Sequence, residues 1–335
     1  MSSQQEIACS APGKAFLCGE FVALEGNPAL VTAVNLRAIV RYREDGGNRI
    51  IIRSSTTKEE VHLEREELLR PDPRGDLVRS VFLAHQRAGY EGKWSGILEL
   101  DSSALSDKTG AAVGFGSSAA VAVALTQVMI PSATRETVQS LALEAHLLFQ
   151  GGVGSGYDVV TACRGGIVAI HREQRDALRD QITCLTCEIP DTHQWLFLGG
   201  GEVPSTRAVL QKLRSVPQDT LKRCLALMAE VALEAVMQAG GKGWCNLVSC
   251  LDRYCLLEQQ LGELAGINIV PSTVIQLNNG IRSLEAAAKP SGAGGDGLVV
   301  VLTPKVCREE VLAVAEAVGL KALLADIEPA GVRLE

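Results

Sequence analysis

The chain has 335 residues, 47% hydrophobic and 21% charged, and a formal charge of −7 from 32 basic and 39 acidic side chains. Its length favours two domains over one, and its apolar content excludes a globally disordered chain. No block of Lys and Arg is present, so no nucleic acid partner is expected, whereas a small anionic ligand needs only a local site.

The longest apolar run, residues 119–130, is broken by Thr126 and Gln127. It falls short of the ~20 residues of a spanning helix, so no membrane partner is expected. The opening residues Met1-Ser2-Ser3-Gln4-Gln5-Glu6 have neither the basic nor the apolar region of a secretory signal. With ten cysteines in so long a chain, this reads as a cytoplasmic protein with reduced thiols. Cys184 and Cys187 form a CxxC pair, but Cys245, Cys250 and Cys255 are too widely spaced to complete a zinc site, so these read as packing residues.

In chain order, residues 6–11 and 16–24 have strand character. A β-branched run covers 29–43, and Gly46-Gly47-Asn48 turns it into 49–54, where three successive Ile suit a buried strand. Residues 75–89 read as a helix, with Leu77, Val81 and Ala84 on one face and Gly89 as a stop, and 95–100 as a short strand. A glycine-rich turn at 110–116 runs into a small-residue helix that begins near Ser117. A further helix covers 134–150, a second glycine cluster 151–156, and a mixed stretch continues to Arg164. Strands are predicted at 167–171, 182–189 and 194–198. Helical spacing follows at 205–214, 218–239, 246–265 and 272–288. A third glycine cluster at 291–297 precedes an apolar strand at 298–302, and 308–318 is a last helix. The mixture is α+β, with a boundary expected near 172–190.

Three glycine clusters and one lysine carry the chemistry. In Gly114-Phe115-Gly116-Ser117-Ser118-Ala119 the glycines permit a tight turn and close approach of a ligand. The serines stand where a helix begins and its free N–H groups favour an anion, although a Ser-capped helix after an ordinary loop fits the same residues. Lys14 follows Pro12-Gly13 at a strand end, placed either to pair with a phosphate or as a solvated lysine. Asp158 follows Gly154-Ser155-Gly156, as a general base, an orienting group or a turn aspartate. Ser291-Gly292-Ala293-Gly294-Gly295 is a loop whose N–H groups suit a phosphate.

Taken together, residues 11–30 (APGKAFLCGEFVALEGNPAL), 114–121 (GFGSSAAV) and 290–295 (PSGAGG) resemble, in the same order, the GHMP kinase superfamily of galactokinase, homoserine kinase, mevalonate kinase and phosphomevalonate kinase. Within it the chain looks most similar to the phosphomevalonate kinases, through 146–166 (HLLFQGGVGSGYDVVTACRGG), 199–209 (GGGEVPSTRAV) and Lys289-Pro290-Ser291. Two features depart from the pattern. Gly295 is followed directly by Asp296, and Ala112 and Val113 stand where a lysine usually precedes the serine turn, leaving Lys108 further upstream.

The resemblance implies a two-domain α+β kinase, with a ribosomal-protein-S5-like ATP-binding domain over 1–185 and a ferredoxin-like domain over 186–335. The active site would lie between them. Lys14 and Asp158 would be catalytic. ATP would lie on Gly114, Phe115, Gly116, Ser117, Ser118 and Ala119, with Mg2+ at Ser118. The acceptor would meet Ser155, Gly156, Ser205, Thr206, Ser291, Gly292, Ala293 and Gly294. The implied reaction is transfer from ATP to 5-phosphomevalonate, with mevalonate or another alcohol as the alternative, by a monomer or homodimer. A phosphate acceptor is already a nucleophile at neutral pH but brings anion repulsion, which asks for cations; an alcohol asks for a base. Arg207, Lys289, Lys108 and Arg164 are the further candidate cations, each more simply read as a solvated charge. His146 reads as structural or substrate-side, and Glu20 as a buttress of the first loop. A non-catalytic sensor of this fold would have no need of both Lys14 and Asp158.

Overall fold

A computed structural model describes residues 6–56, 60–70, 76–90, 92, 94–106, 113–172, 182–201, 203–241 and 243–335. The strands are β1 (Glu6–Cys18), β2 (Ala29–Arg43), β3 (Arg49–Ser54), β4 (Val61–Glu64), β5 (Gly96–Asp101), β6 (Ile167–Arg172), β7 (Ile182–Cys187), β8 (His193–Gly199), β9 (Ala287–Pro290), β10 (Val299–Pro304), β11 (Lys321–Ala322) and β12 (Arg333–Leu334). The helices are α1 (Asp76–Arg87), α2 (Ser117–Met129), α3 (Arg135–Phe149), α4 (Tyr157–Arg164), α5 (Thr206–Leu213), α6 (Gln218–Gly240), α7 (Trp244–Ala265), α8 (Ser272–Ile281) and α9 (Arg308–Ala317).

Two sheets organise the molecule. The first runs β12-β1-β2-β5-β3-β4, with β6 pairing β2 and β7 pairing β6; the second runs β11-β8-β10-β9. Pairing is antiparallel except between β3 and β5. The chain passes from the first sheet to the second between Cys187 and His193 and returns at the end, where Arg333 and Leu334 pair with Ser10 and Cys9.

The helix α2 is apolar all round, and every residue from Ala119 to Met129 is buried, as such a helix must be. Its alanines let it pack closely on β1, β2, α3 and α4. Thr134 caps α3 by accepting from the N–H of Thr137. Among the described residues no helix is long and apolar enough to cross a membrane.

Two expectations change. The first two predicted strands, 6–11 and 16–24, are instead one strand, β1, which continues through Pro12-Gly13 by register shifts at Pro12/Gly13 and Phe16/Cys18 and ends at Cys18, followed by a 3-10 turn at Val22–Glu25. The helix read over 272–288 stops at Ile281. Asn278 exchanges two side-chain hydrogen bonds with the backbone of Ala288 (2.7 and 2.8 Å), and Ala287–Pro290 pairs with β10. Alanine-rich composition favours helix locally, but burial of this segment beside β10 overrides it.

Candidate active site

The register shift at Pro12/Gly13 lifts Lys14 against the first glycine loop. Its backbone N–H donates to the Phe115 carbonyl (2.8 Å) and its Nζ to the Gly114 carbonyl (3.1 Å). Gly116, at φ +70°, is the place where a side chain would be both strained and obstructive, since a Cβ there would stand 2.8 Å from Cε of Lys14. Lys14 is 8% exposed. Burial pulls its pKa below the usual lysine range, while the charges of Asp158 and Glu20 oppose that shift.

Gly116 is the N-cap of α2 and offers no side-chain cap, so the first N–H groups of the helix have no side-chain partner there. Ser117 and Ser118 open the helix. The Ser118 hydroxyl lies 3.0 Å from Nε2 of His146 on α3, and Nδ1 of His146 lies 3.7 Å from Oδ2 of Asp158 on α4. His146 is 1% exposed. A buried imidazole therefore stands between the serine turn, which it hydrogen-bonds, and the aspartate, which it approaches without a hydrogen bond, a juxtaposition no local pattern in the sequence announces. The side chain of Phe115, expected with the ATP loop, is buried and packs edge-on against Phe197 of β8 (6.2 Å). Its ring is a packing group that joins the loop to the second sheet, and Ala119 is likewise buried.

Lys14 and Asp158 line one cleft, together with Ser155, Thr206, Gly292 and Ala293 from the expected acceptor set. Apolar atoms of Phe16, Phe21, Leu24 and Val209 complete its walls. The other four members of that set do not line it. Gly156 caps α4 at φ +75°, where a Cβ would meet Leu143 at 2.5 Å, so it shapes the turn. Ser205 is the exposed N-cap of α5. Ser291 is buried, and its hydroxyl donates to the Phe16 carbonyl (3.0 Å). Gly294 backs onto the Ile269 carbonyl.

The candidate cations also sort differently. Lys289 is no surface charge: it is 0% exposed and pairs with Glu20 (2.6 Å) and Glu258 (3.4 Å). Glu20 buttresses the loop through that pair and by accepting from the N–H of Gly292 (3.3 Å). Arg207 is exposed, Arg164 donates to Gln139, and Lys108 lies outside the described residues. Among the described lining residues Lys14 is the sole cation of the cleft, while Arg172 and Arg214 line an adjoining cavity.

No family model matches the chain. Seven curated relatives do, all mevalonate kinases. That of Thermococcus gammatolerans is 25% identical over 352 residues and covers 98% of each chain. Among solved structures, the Lin0012 protein of Listeria innocua superposes with a TM-score of 0.87 at 22% identity, over 99% of both chains. Streptococcus pneumoniae phosphomevalonate kinase in complex with phosphomevalonate and AMPPNP gives 0.81 at 19% identity, over 96% of this chain and 99% of that one. The chain has the GHMP-superfamily kinase fold.

In this GHMP kinase fold the start of α2 has what an anion asks for: two glycines at positive φ, uncapped N–H groups and two hydroxyls. A second cavity borders Ser117 and Ser118, with apolar walls from Ile52, Leu77 and Leu100 and hydroxyls from Ser54, Thr56 and Ser102. Among the described residues no group of three His, Cys, Asp or Glu could hold a metal ion. The residues fit a cation that takes most of its oxygens from nucleotide phosphates and water, as Mg2+ does.

Proposed function

We propose that the chain is an ATP-dependent small-molecule kinase that phosphorylates the hydroxyl of a mevalonate-type acid on the route to isoprenoids. The observation that carries this reading is the cleft that Lys14 and Asp158 line together, with Lys14 anchored on the Gly114 carbonyl of the glycine loop. On this reading residues 1–185 hold the nucleotide and 186–335 close the cleft. Phosphates would rest on the N–H groups of Ser117, Ser118 and Ala119, with the nucleoside in the cavity beside them. Ser118 would supply a hydroxyl oxygen to Mg2+, and bound Mg-ATP supplies the phosphoryl group and charge neutralisation.

The residues of the chain then have distinct tasks. Asp158, held toward His146, accepts the proton of the acceptor hydroxyl as the new O–P bond forms. Lys14, anchored on the Gly114 carbonyl, balances the negative charge that develops on the oxygens between acceptor and donor. The apolar walls exclude water, which would otherwise compete as the acceptor.

Charge favours a hydroxyl acceptor over a phosphate. The cleft presents Asp158 and one lysine, and the second carboxylate, Glu20, is occupied by Lys289. A phosphate would meet Asp158 with one cation to balance both. The seven mevalonate kinase relatives support the same choice over the phosphate acceptor expected from the sequence. The phosphomevalonate reading has two observations in its favour: the TM-score of 0.81 to the pneumococcal enzyme, and Arg172 and Arg214 in the adjoining cavity. ADP release with Mg-ATP, measured in parallel with mevalonate and 5-phosphomevalonate, separates the two. Turnover with mevalonate alone is expected; turnover with phosphomevalonate alone reverses the assignment and makes Asp158 an orienting group; silence with both overturns the mevalonate-type acceptor.

A further inference from the structure

We propose that Glu20, Lys289 and Glu258 form a positioning group that sets the last glycine loop, Ser291 to Ala293, against the cleft and couples the two sheets there. The group is built from three separate parts of the fold: the turn after β1, the strand β9 of the second sheet, and α7. Its charges are all buried, with Glu20 at 3%, Lys289 at 0% and Glu258 at 1% exposure. Burial of three ionisable groups is costly unless geometry compensates, and here it serves to register parts that are far apart along the chain.

The hydrogen bonds show what is registered. Nζ of Lys289 donates to Oε1 of Glu20 and to the carbonyl of Pro290, the residue that leads into the loop. The same Oε1 accepts from the N–H of Gly292, which lines the cleft. Ser291 donates to Phe16 on β1, and the hydroxyl of Tyr254 on α7 donates to the Glu20 carbonyl. The ammonium also lies 5.6 Å from the centre of the Tyr254 ring. The loop is thus fastened at Pro290, Ser291 and Gly292 in succession, and two of these fastenings, at Pro290 through Lys289 and at Gly292 directly, lead to Glu20.

The two carboxylates are not equivalent. Two buried anions facing one cation leave one charge in excess, and Oε2 of each lacks a hydrogen-bond partner among the described residues. Glu258 is the one driven toward its neutral form: burial raises its pKa well above the usual carboxylate range, the charge of Glu20 adds to this, and Lys289 opposes it. Cys18, Tyr254 and Cys255 also face the group, and burial raises the pKa of each, which keeps all three protonated. Glu20 is the one whose Oε1 meets both Lys289 (2.6 Å) and the N–H of Gly292 (3.3 Å), while Glu258 closes the group from the helix side at 3.4 Å from Lys289.

The proposal rests on the kinase reading only for what the loop is positioned to do, so its test has a readout that needs no substrate. Amide hydrogen exchange over residues 289–295 would be compared in the wild type, Glu20→Gln, Glu258→Gln and Lys289→Met, with acceptor KM and kcat as a second readout. The loss of a charge-assisted hydrogen bond is expected to speed loop exchange about tenfold in Glu20→Gln and Lys289→Met. KM should rise by a similar factor, with kcat changed less. Glu258→Gln, which alters a contact to Lys289 and none to the loop itself, should loosen the loop far less than Glu20→Gln. Unchanged exchange in Glu20→Gln overturns the proposal, as does Glu258→Gln loosening the loop as much as Glu20→Gln. If Lys289→Met does not fold, the two glutamine variants decide between these outcomes. If the wild type turns over no mevalonate-type acceptor, that acceptor assignment fails while the exchange pattern still judges the positioning group.

Discussion

Substituting Gly116 by alanine probes the contact on which the proposed site turns. The φ of +70° costs an L-residue about 1 kcal/mol, which falls on the stability of the fold. The added Cβ would stand 2.8 Å from Cε and 3.3 Å from Cγ of Lys14. The far end of a lysine can swing aside, so this clash is relieved by moving the ammonium rather than by unfolding. Doing so sacrifices the 3.1 Å bond to the Gly114 carbonyl and the aim of the charge. A charge-assisted hydrogen bond is worth roughly 1.5–3 kcal/mol, so the transition state should lose about that much. That corresponds to a roughly 10- to 150-fold fall in kcat/KM. The assay is steady-state ADP release beside thermal unfolding of the same preparations. The melting temperature should fall by only a few degrees while activity collapses. A variant that keeps kcat/KM within about threefold of wild type, or loses activity only in proportion to unfolding, refutes the placement of Lys14.

Three further predictions follow from the geometry. Asp158→Asn keeps an acceptor for the Val159 N–H (2.9 Å) and should fold normally, yet lower kcat for a hydroxyl acceptor about 10²–10⁴-fold; a much smaller loss would mean that no base is used. Lys14→Met should abolish turnover and raise the melting temperature at neutral pH. A cation whose folded pKa lies below its unfolded value penalises the folded state while it is charged, and the penalty fades as pH rises; a lower melting temperature in the variant counts against this. His85 has no partner on either ring nitrogen among the described residues, packs 5.5 Å from Trp94, and burial lowers its pKa from 6.5 to about 4. The stability that comes from keeping it neutral is complete above pH 6.5 and is lost as pH falls toward 4, amounting to about 3 kcal/mol. His85→Leu should flatten unfolding free energy against pH over that window, and an unchanged slope would show that other groups set it.

What could be read ahead of the structure was whatever local pattern determines. The stop at Gly89, the helix opening at Ser117 and the start of the next helix at 134 all appear within a residue or two of their expected places, because turn and cap chemistry acts between near neighbours. The strand β4 escaped notice, since four residues that alternate buried and exposed are too few to stand out. The end of α8 was misplaced because what stops it is a pairing with β10. The same limit separates the site residues. Lys14, Ser118 and Asp158 each sit in a local signature, whereas Glu258 and Lys289 look like ordinary helix and strand charges until the fold brings them to Glu20. His146 reads as structural or substrate-side, but its neighbours are not legible, for Ser118 lies 28 residues before it and Asp158 on the next helix, α4.

The return of the chain to its first sheet bears on how the halves can move. Two segments cross between the sheets, one between Cys187 and His193 and the other between Ala322 and Arg333. The second is itself stitched down, by the bridge of Ile327 to Val34 and by the bonds of Arg37 to the carbonyls of Ala330 and Gly331 (3.2 and 2.7 Å). A body held by two leads cannot twist freely as one on a single tether can, and between those leads the Glu20–Lys289 pair and the Ser291–Phe16 bond clamp the last glycine loop to the first sheet. Lys14 and Gly292 are thereby held in fixed register across the cleft.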